Sequence, residues 1–75
     1  MKIEILGPGC AKCKTLYENV RKAVAESGSA AEVVKVEEIR KIMAYGVLST
    51  PALVIDGEVK FSGKVPSVNE LKGML

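Results

Sequence analysis

Lys2 to Leu6 alternates polar with apolar residues, is rich in isoleucine, and is cut by Gly7-Pro8-Gly9. That pattern predicts a strand running into a tight loop. From Cys13 the apolar positions recur at Leu16, Tyr17, Val20, Ala23 and Val24, the three- and four-residue spacing of one helical face. The spacing predicts a helix from about residue 11 to 27, stopped by Gly28. Ala31 to Val36 is short and β-branched, and predicts a second strand. Strand, helix and strand in succession form a βαβ unit, whose crossover lays the second strand parallel to the first. Val36, Ile39, Ile42 and Met43 resume helical spacing up to Gly46, with Glu37 four residues before Lys41 as a surface pair.

Pro51-Ala52-Leu53-Val54-Ile55 is continuously apolar, as suits a strand covered on both faces. Asp56-Gly57 then signals a two-residue hairpin into Glu58-Val59-Lys60-Phe61, whose alternation and charges fit an exposed edge. Ser67-Val68-Asn69-Glu70 is a capping box, and Leu71, Met74 and Leu75 supply an apolar stripe behind it, so the chain closes with a short helix. The order is β-α-β-α-β-β-α, an α/β chain with no repeat and no linker.

Composition narrows the reading. The chain has 75 residues, of which 48% are hydrophobic, which suits one globular domain over residues 1–75 and leaves no room for a second. The charge is +2, from 11 Lys and Arg against 9 Asp and Glu. Acids interrupt the basic groups throughout, so no nucleic-acid footprint is expected. Pro51 to Ile55 is too short to cross a bilayer, and Met1-Lys2-Ile3-Glu4 places an acid where a signal peptide needs basic and then apolar residues. A cytoplasmic monomer is the expectation. The absence of histidine excludes Ser-His and Cys-His nucleophilic catalysis, imidazole acid–base steps and His-ligated metal centres.

What remains is cysteine: Cys10 and Cys13, in one Cys-Ala-Lys-Cys unit. Cys10 falls where the glycine loop meets the first helix, while Cys13 is in line with Leu16, Tyr17 and Val20. One sulfur therefore faces out and the other in. Unpaired N–H groups and the positive end of the helix dipole act on the first turn, with Lys12 and Lys14 adding charge, and all favour a thiolate at Cys10. A thiolate of lowered pKa is more abundant but intrinsically less nucleophilic, so attack quickens only modestly; its larger effect is to make Cys10 a good leaving group. Cys13 is placed to resolve a mixed disulfide.

Other uses of the pair are weaker. Closing so small a ring would lower unfolded-chain entropy by only about 2 kcal/mol, little for a structural staple. Zinc asks for four ligands, where this chain offers two thiols and no histidine. Copper(I), content with thiolates, is the serious rival, because copper chaperones also place Cys-x-x-Cys between a first strand and a first helix. Their ferredoxin-like order, β-α-β-β-α-β, ends in a strand, whereas the capping box at Ser67 ends this chain in a helix.

Gly9-Cys10-Ala11-Lys12-Cys13 after a first strand, the element order, and Ser49-Thr50-Pro51 opening an apolar strand resemble the thioredoxin and glutaredoxin superfamily. More closely, the chain is similar to its small, glutaredoxin-sized members in archaea and bacteria, the redox-active disulfide proteins. The resemblance implies a thiol–disulfide oxidoreductase without a cofactor, reducing disulfides in protein substrates and recharged by an upstream thiol reductase. It makes Cys10 the attacking and Cys13 the resolving thiol. Pro51 would be cis and packed beside the disulfide, Thr50 would offer its backbone to an extended substrate segment, and Gly63 would line the same groove. A four-stranded mixed sheet in the order second, first, third, fourth would carry three helices on its two faces. Lys12 enters as a residue modulating the Cys10 pKa.

The chain also departs from that pattern. No tryptophan precedes Cys10, and Ala11-Lys12 stands where thioredoxins usually carry Gly-Pro and glutaredoxins often Pro-Tyr. Thioredoxins bury an acid under the cysteines. The nearest candidate is Glu4, which by its alternation with Ile3 and Ile5 reads as a solvent-facing strand residue. Tyr17 reads as a core residue with its hydroxyl at the edge.

Overall fold

The structure, a computed structural model, describes residues 1–75. Seven elements follow one another: β1 (Lys2–Leu6), α1 (Ala11–Ser27), β2 (Glu32–Val36), α2 (Ile39–Ala44), β3 (Ala52–Ile55), β4 (Glu58–Ser62) and α3 (Val68–Lys72). The strands form one sheet in the order β2-β1-β3-β4, with β1 parallel to β2 and antiparallel to β3, and β3 antiparallel to β4. Order, direction and the closing helix agree with the thioredoxin-like expectation and differ from a ferredoxin-like chain.

Strand pleating divides the apolar residues between two layers. Ile3, Ile5, Leu53, Ile55 and Phe61 point to one face, where Leu16, Val20 and Ala23 of α1 and Leu71 of α3 cover them. Leu6, Ala52 and Val54 point to the other, against Ile42 of α2. All four residues of β3 are therefore buried, which is why its run is unbroken by polar residues. Helix α3 is tied down by the capping box of Ser67 and Glu70, by the Asn19 side-chain amide donating to the Pro66 carbonyl at 3.1 Å, and by an ion pair of Lys72 with Glu26 at 3.3 Å.

The β3–β4 hairpin turns through Asp56 and Gly57, both at positive φ (49° and 85°), the geometry that matches strand twist. Asp56 is also locked to the neighbouring strand, because its carboxylate accepts the Lys2 N–H at 2.8 Å. Beyond the turn, Val54 pairs with Val59 and Leu53 with Phe61, so Lys60 is an extra residue bulging from the charged edge.

Three local expectations are corrected. Helix α2 has six residues and buries only Ile42; Ile39 and Met43 are exposed, and Val36 belongs to β2. Six residues cannot present two turns of apolar stripe to a sheet. Lys41 lies 3.9 Å from Glu38 instead of pairing with Glu37, which precedes the helix N-cap and so lies outside its i,i+4 geometry. Glu4 is half-buried, not solvent-facing: its side chain lies on the α2 face of the sheet, where the Tyr45 hydroxyl donates to it at 2.8 Å. Tyr17 does pack half-buried against the core, with the Lys35 ammonium 4.5 Å above its ring.

Candidate functional site

Helix α1 begins at Cys10, whose extended backbone (φ −71°, ψ 169°) makes it the N-cap. A cap side chain accepts a hydrogen bond from an otherwise unpaired N–H of the first turn, and here the acceptor is sulfur. The Cys13 N–H donates to Cys10 Sγ at 3.3 Å, while the Cys10 carbonyl accepts the Lys14 N–H at 3.0 Å. Cys10 is exposed, Cys13 is buried at 6% exposure, and both are free thiols.

Their acidities diverge for physical reasons. The Cys10 pKa is lowered, first by the Cys13 thiol donating to its sulfur, then by the Cys13 N–H, with smaller help from the main chain of Lys12 and of Cys10 itself. The Cys13 pKa is raised, first by burial and then because its proton is engaged with Cys10. The outer sulfur is thus the better thiolate and leaving group, and the inner one holds its proton.

The loop before β3 comes near the inner cysteine, with Gly7 between Cys13 and Pro51. The Thr50–Pro51 peptide is cis and Pro51 is fully buried. Gly63, at φ 75°, donates its N–H to the Pro51 carbonyl at 2.8 Å, and a Cβ on it would press on the Ser49 hydroxyl. Thr50, Pro51 and Gly63, distant in sequence, are therefore neighbours, with Thr50 half-buried and Leu48 fully exposed beside them.

Gly7 joins these parts, where the sequence pattern by itself reads only a turn. A Cβ there would overlap the Cys13 sulfur and stand 3.9 Å from the Pro51 Cα. Glycine is needed because β1 ends with its backbone against the inner thiol. Its place directly after β1 and before the cysteine loop was the one available signal.

A cavity of about 80 Å³ adjoins Cys13, lined also by Ile5, Gly7, Gly9, Lys14, Lys35 and Glu37. Glu4 has no part in it, because alternation puts Ile3 and Ile5 on the α1 face and Glu4 on the other. No cluster of three or more His, Cys, Asp or Glu side chains stands ready for a metal. No helix is long and apolar enough to cross a membrane.

Comparison with known proteins agrees with this geometry. The thioredoxin domain family matches residues 1–75. A thioredoxin of Methanothermobacter thermautotrophicus is 45% identical over 75 residues, covering 100% of this chain and 97% of that protein. A thioredoxin of Methanocaldococcus jannaschii is 49% identical over 70 residues, covering 93% of this chain and 80% of the relative. With a matching sheet order, a Cys-x-x-Cys at the head of the first helix and relatives along its full length, this chain belongs to the thioredoxin family and is a thiol–disulfide oxidoreductase.

Proposed function

We propose that Cys10 and Cys13 are the redox couple, that Cys10 attacks the substrate disulfide, and that Cys13 resolves the mixed disulfide. The observation that carries this reading is the exposed Cys10 sulfur at the N-cap, accepting the Cys13 N–H at 3.3 Å, with a buried thiol behind it. The Cys10 thiolate attacks one sulfur of the substrate and expels the other. Cys13 then attacks Cys10 Sγ, the Cys10–substrate bond breaks, and the second substrate sulfur leaves with the electron pair. The substrate gains two electrons and two protons, and the protein is left as its own disulfide. A reductant must return it to the dithiol, so an upstream thiol reductase is the second partner; no cofactor takes part.

Thr50, Pro51 and Gly63 form the substrate groove in this reading. The peptide groups of Thr50 take no part in the hydrogen bonds of the loops and turns, which suits them to pair with an extended substrate segment. Lys12 modulates Cys10 through its main-chain N–H, and in this reading its exposed ammonium adds a share that salt screens. The protein works as a single-domain cytoplasmic monomer.

The test is insulin-disulfide reduction. Cys10→Ser abolishes turnover, whereas Cys13→Ser still attacks and accumulates a mixed disulfide visible by mass spectrometry. Equal trapping by the two variants contradicts the assigned roles.

A further inference from the structure

Resolution requires the buried Cys13 thiol to shed its proton, and the two-cysteine scheme does not say where that proton goes. Once Cys10 is bonded to substrate, its sulfur is no longer an anion able to accept it. The chain has no histidine. Glu4 lies across the sheet, its carboxylate engaged by Tyr45. The charged groups that line a cavity together with Cys13 are Lys14 from the first turn of α1, Lys35 from β2, and Glu37 just after β2.

As ammonium ions, Lys14 and Lys35 have no lone pair to offer. Lys35 Nζ also lies 4.5 Å over the Tyr17 ring, whose other cationic neighbour is Arg21 at 5.7 Å. Glu37 alone brings an ionisable oxygen acceptor to the cavity. Its Oε2 lies 2.9 Å from the point a Cβ on Gly9 would occupy, so the carboxylate sits close beside the loop that carries Cys10. That approach is open because residue 9 is glycine, at φ 92°. Gly9 lines the same cavity as Cys13. A cavity of about 80 Å³ with charged walls has ample room for water, which needs roughly 10–15 Å³ and two or more polar partners.

We propose that Glu37 accepts the Cys13 proton through water in this cavity as the mixed disulfide is resolved, a positioning residue for the second step of the exchange. The inference rests on the assignment of Cys13 as the resolving thiol. In the step, the Cys13 S–H bond breaks and its proton passes by water to the Glu37 carboxylate. The sulfur's electron pair forms the bond to Cys10 Sγ, and the substrate sulfur departs as a thiolate. Glu37 returns its proton to solvent or to that thiolate. Lys14 and Lys35 offset the negative charge that passes through the cavity.

The experiment is a single turnover of the reduced full-length protein, in excess, with a peptide disulfide. Acid quenching and mass spectrometry follow growth and decay of the mixed disulfide from pH 6 to 10, for wild type, Glu37→Gln and Glu37→Asp. General-base assistance is worth 10²–10⁴-fold when direct; routed through water at an exposed carboxylate it is set here at roughly tenfold. Glu37→Gln is therefore expected to slow decay about tenfold at pH 7, with the gap closing towards pH 10 as hydroxide takes over. Glu37→Asp is expected to recover part of the rate. A purely electrostatic Glu37 gives the opposite sign, because its loss leaves Lys14 and Lys35 unopposed beside Cys13, favours the thiolate and speeds decay. Decay in Glu37→Gln equal to or faster than wild type at pH 7 overturns the proposal. Failure of the underlying reading looks different: wild type itself would accumulate the mixed disulfide as Cys13→Ser does.

Discussion

Gly7→Ala isolates the tight contact on which the inner thiol depends. Gly7 does not have a positive φ, so alanine suits its backbone, and the perturbation is steric alone. The new methyl carbon would stand 3.2 Å from the Cys13 Cβ and 3.9 Å from the Pro51 Cα, and would overlap the Cys13 sulfur outright. Carbon and sulfur need roughly 3.5–4 Å, so the thiol must retreat by more than about 1 Å. Neither neighbour yields readily, because Cys13 is 6% exposed and Pro51 is fully buried. Overpacking of this kind costs about 1–3 kcal/mol, here set at about 2. For a domain of this size that lowers Tm by about 8–16 °C. The assay is thermal melting of the reduced protein by circular dichroism, paired with the reactivity of Cys13 towards a bulky aromatic disulfide in a Cys10→Ser background. Gly7→Ala should melt early and expose Cys13 to the reagent. Gly28→Ala is the control. Its φ of 66° imposes a conformational cost of about 1 kcal/mol, yet nothing lies within 4 Å of the added carbon, so Cys13 should stay protected. A Gly7→Ala protein that melts within about 2 °C of wild type and keeps Cys13 protected would falsify the packing argument.

The two thiols should also leave opposite marks on stability against pH. Cys10, lowered on folding from an ordinary 9.0, contributes stability that is full above that value and is lost as pH falls through its folded pKa. Cys13 is raised, so its contribution is full below 9.0 and is lost as pH rises through its folded pKa. Melting curves of the reduced protein from pH 6 to 10 should therefore rise less steeply with pH for Cys10→Ser than for wild type, and fall off less at the alkaline end for Cys13→Ser; identical profiles for all three refute the shifts. Lys12→Gln should raise the Cys10 pKa slightly at low salt, and the difference should vanish near 0.5 M salt, where exposed charges are screened. A salt-independent rise in the 240 nm thiolate titration would assign Lys12 a closer contact than its main-chain N–H provides. Ser67→Ala removes both hydroxyl bonds of the α3 cap and should cost about 1 kcal/mol, or about 4–8 °C in Tm, with disulfide reduction retained.

Element order, the head of α1 and the Asp56-Gly57 turn were legible because each is a property of neighbours along the chain. Apolar spacing selects helix or strand, a glycine stops a helix, and a cysteine at a helix start meets unpaired N–H groups whatever the rest of the protein does. Pairing of Pro51 with Gly63 came from family likeness and not from spacing, since the eleven residues of the β3–β4 hairpin separate them. Glu4 shows where local reading stops. Alternation with Ile3 and Ile5 correctly put it on the opposite face from them, but only Tyr45, 41 positions away, decides that this face is covered.

The amino-acid order by itself determined an outward sulfur and an inward sulfur one helical turn apart, because helix periodicity and the end of a helix act within a few residues. Tertiary structure alone decided what surrounds the inner one. Gly7 touches Cys13, Pro51 stands beside it, and Glu37 rather than Glu4 shares its cavity. Those contacts depend on how strands and loops remote in sequence are brought side by side, and no short-range pattern encodes that alignment.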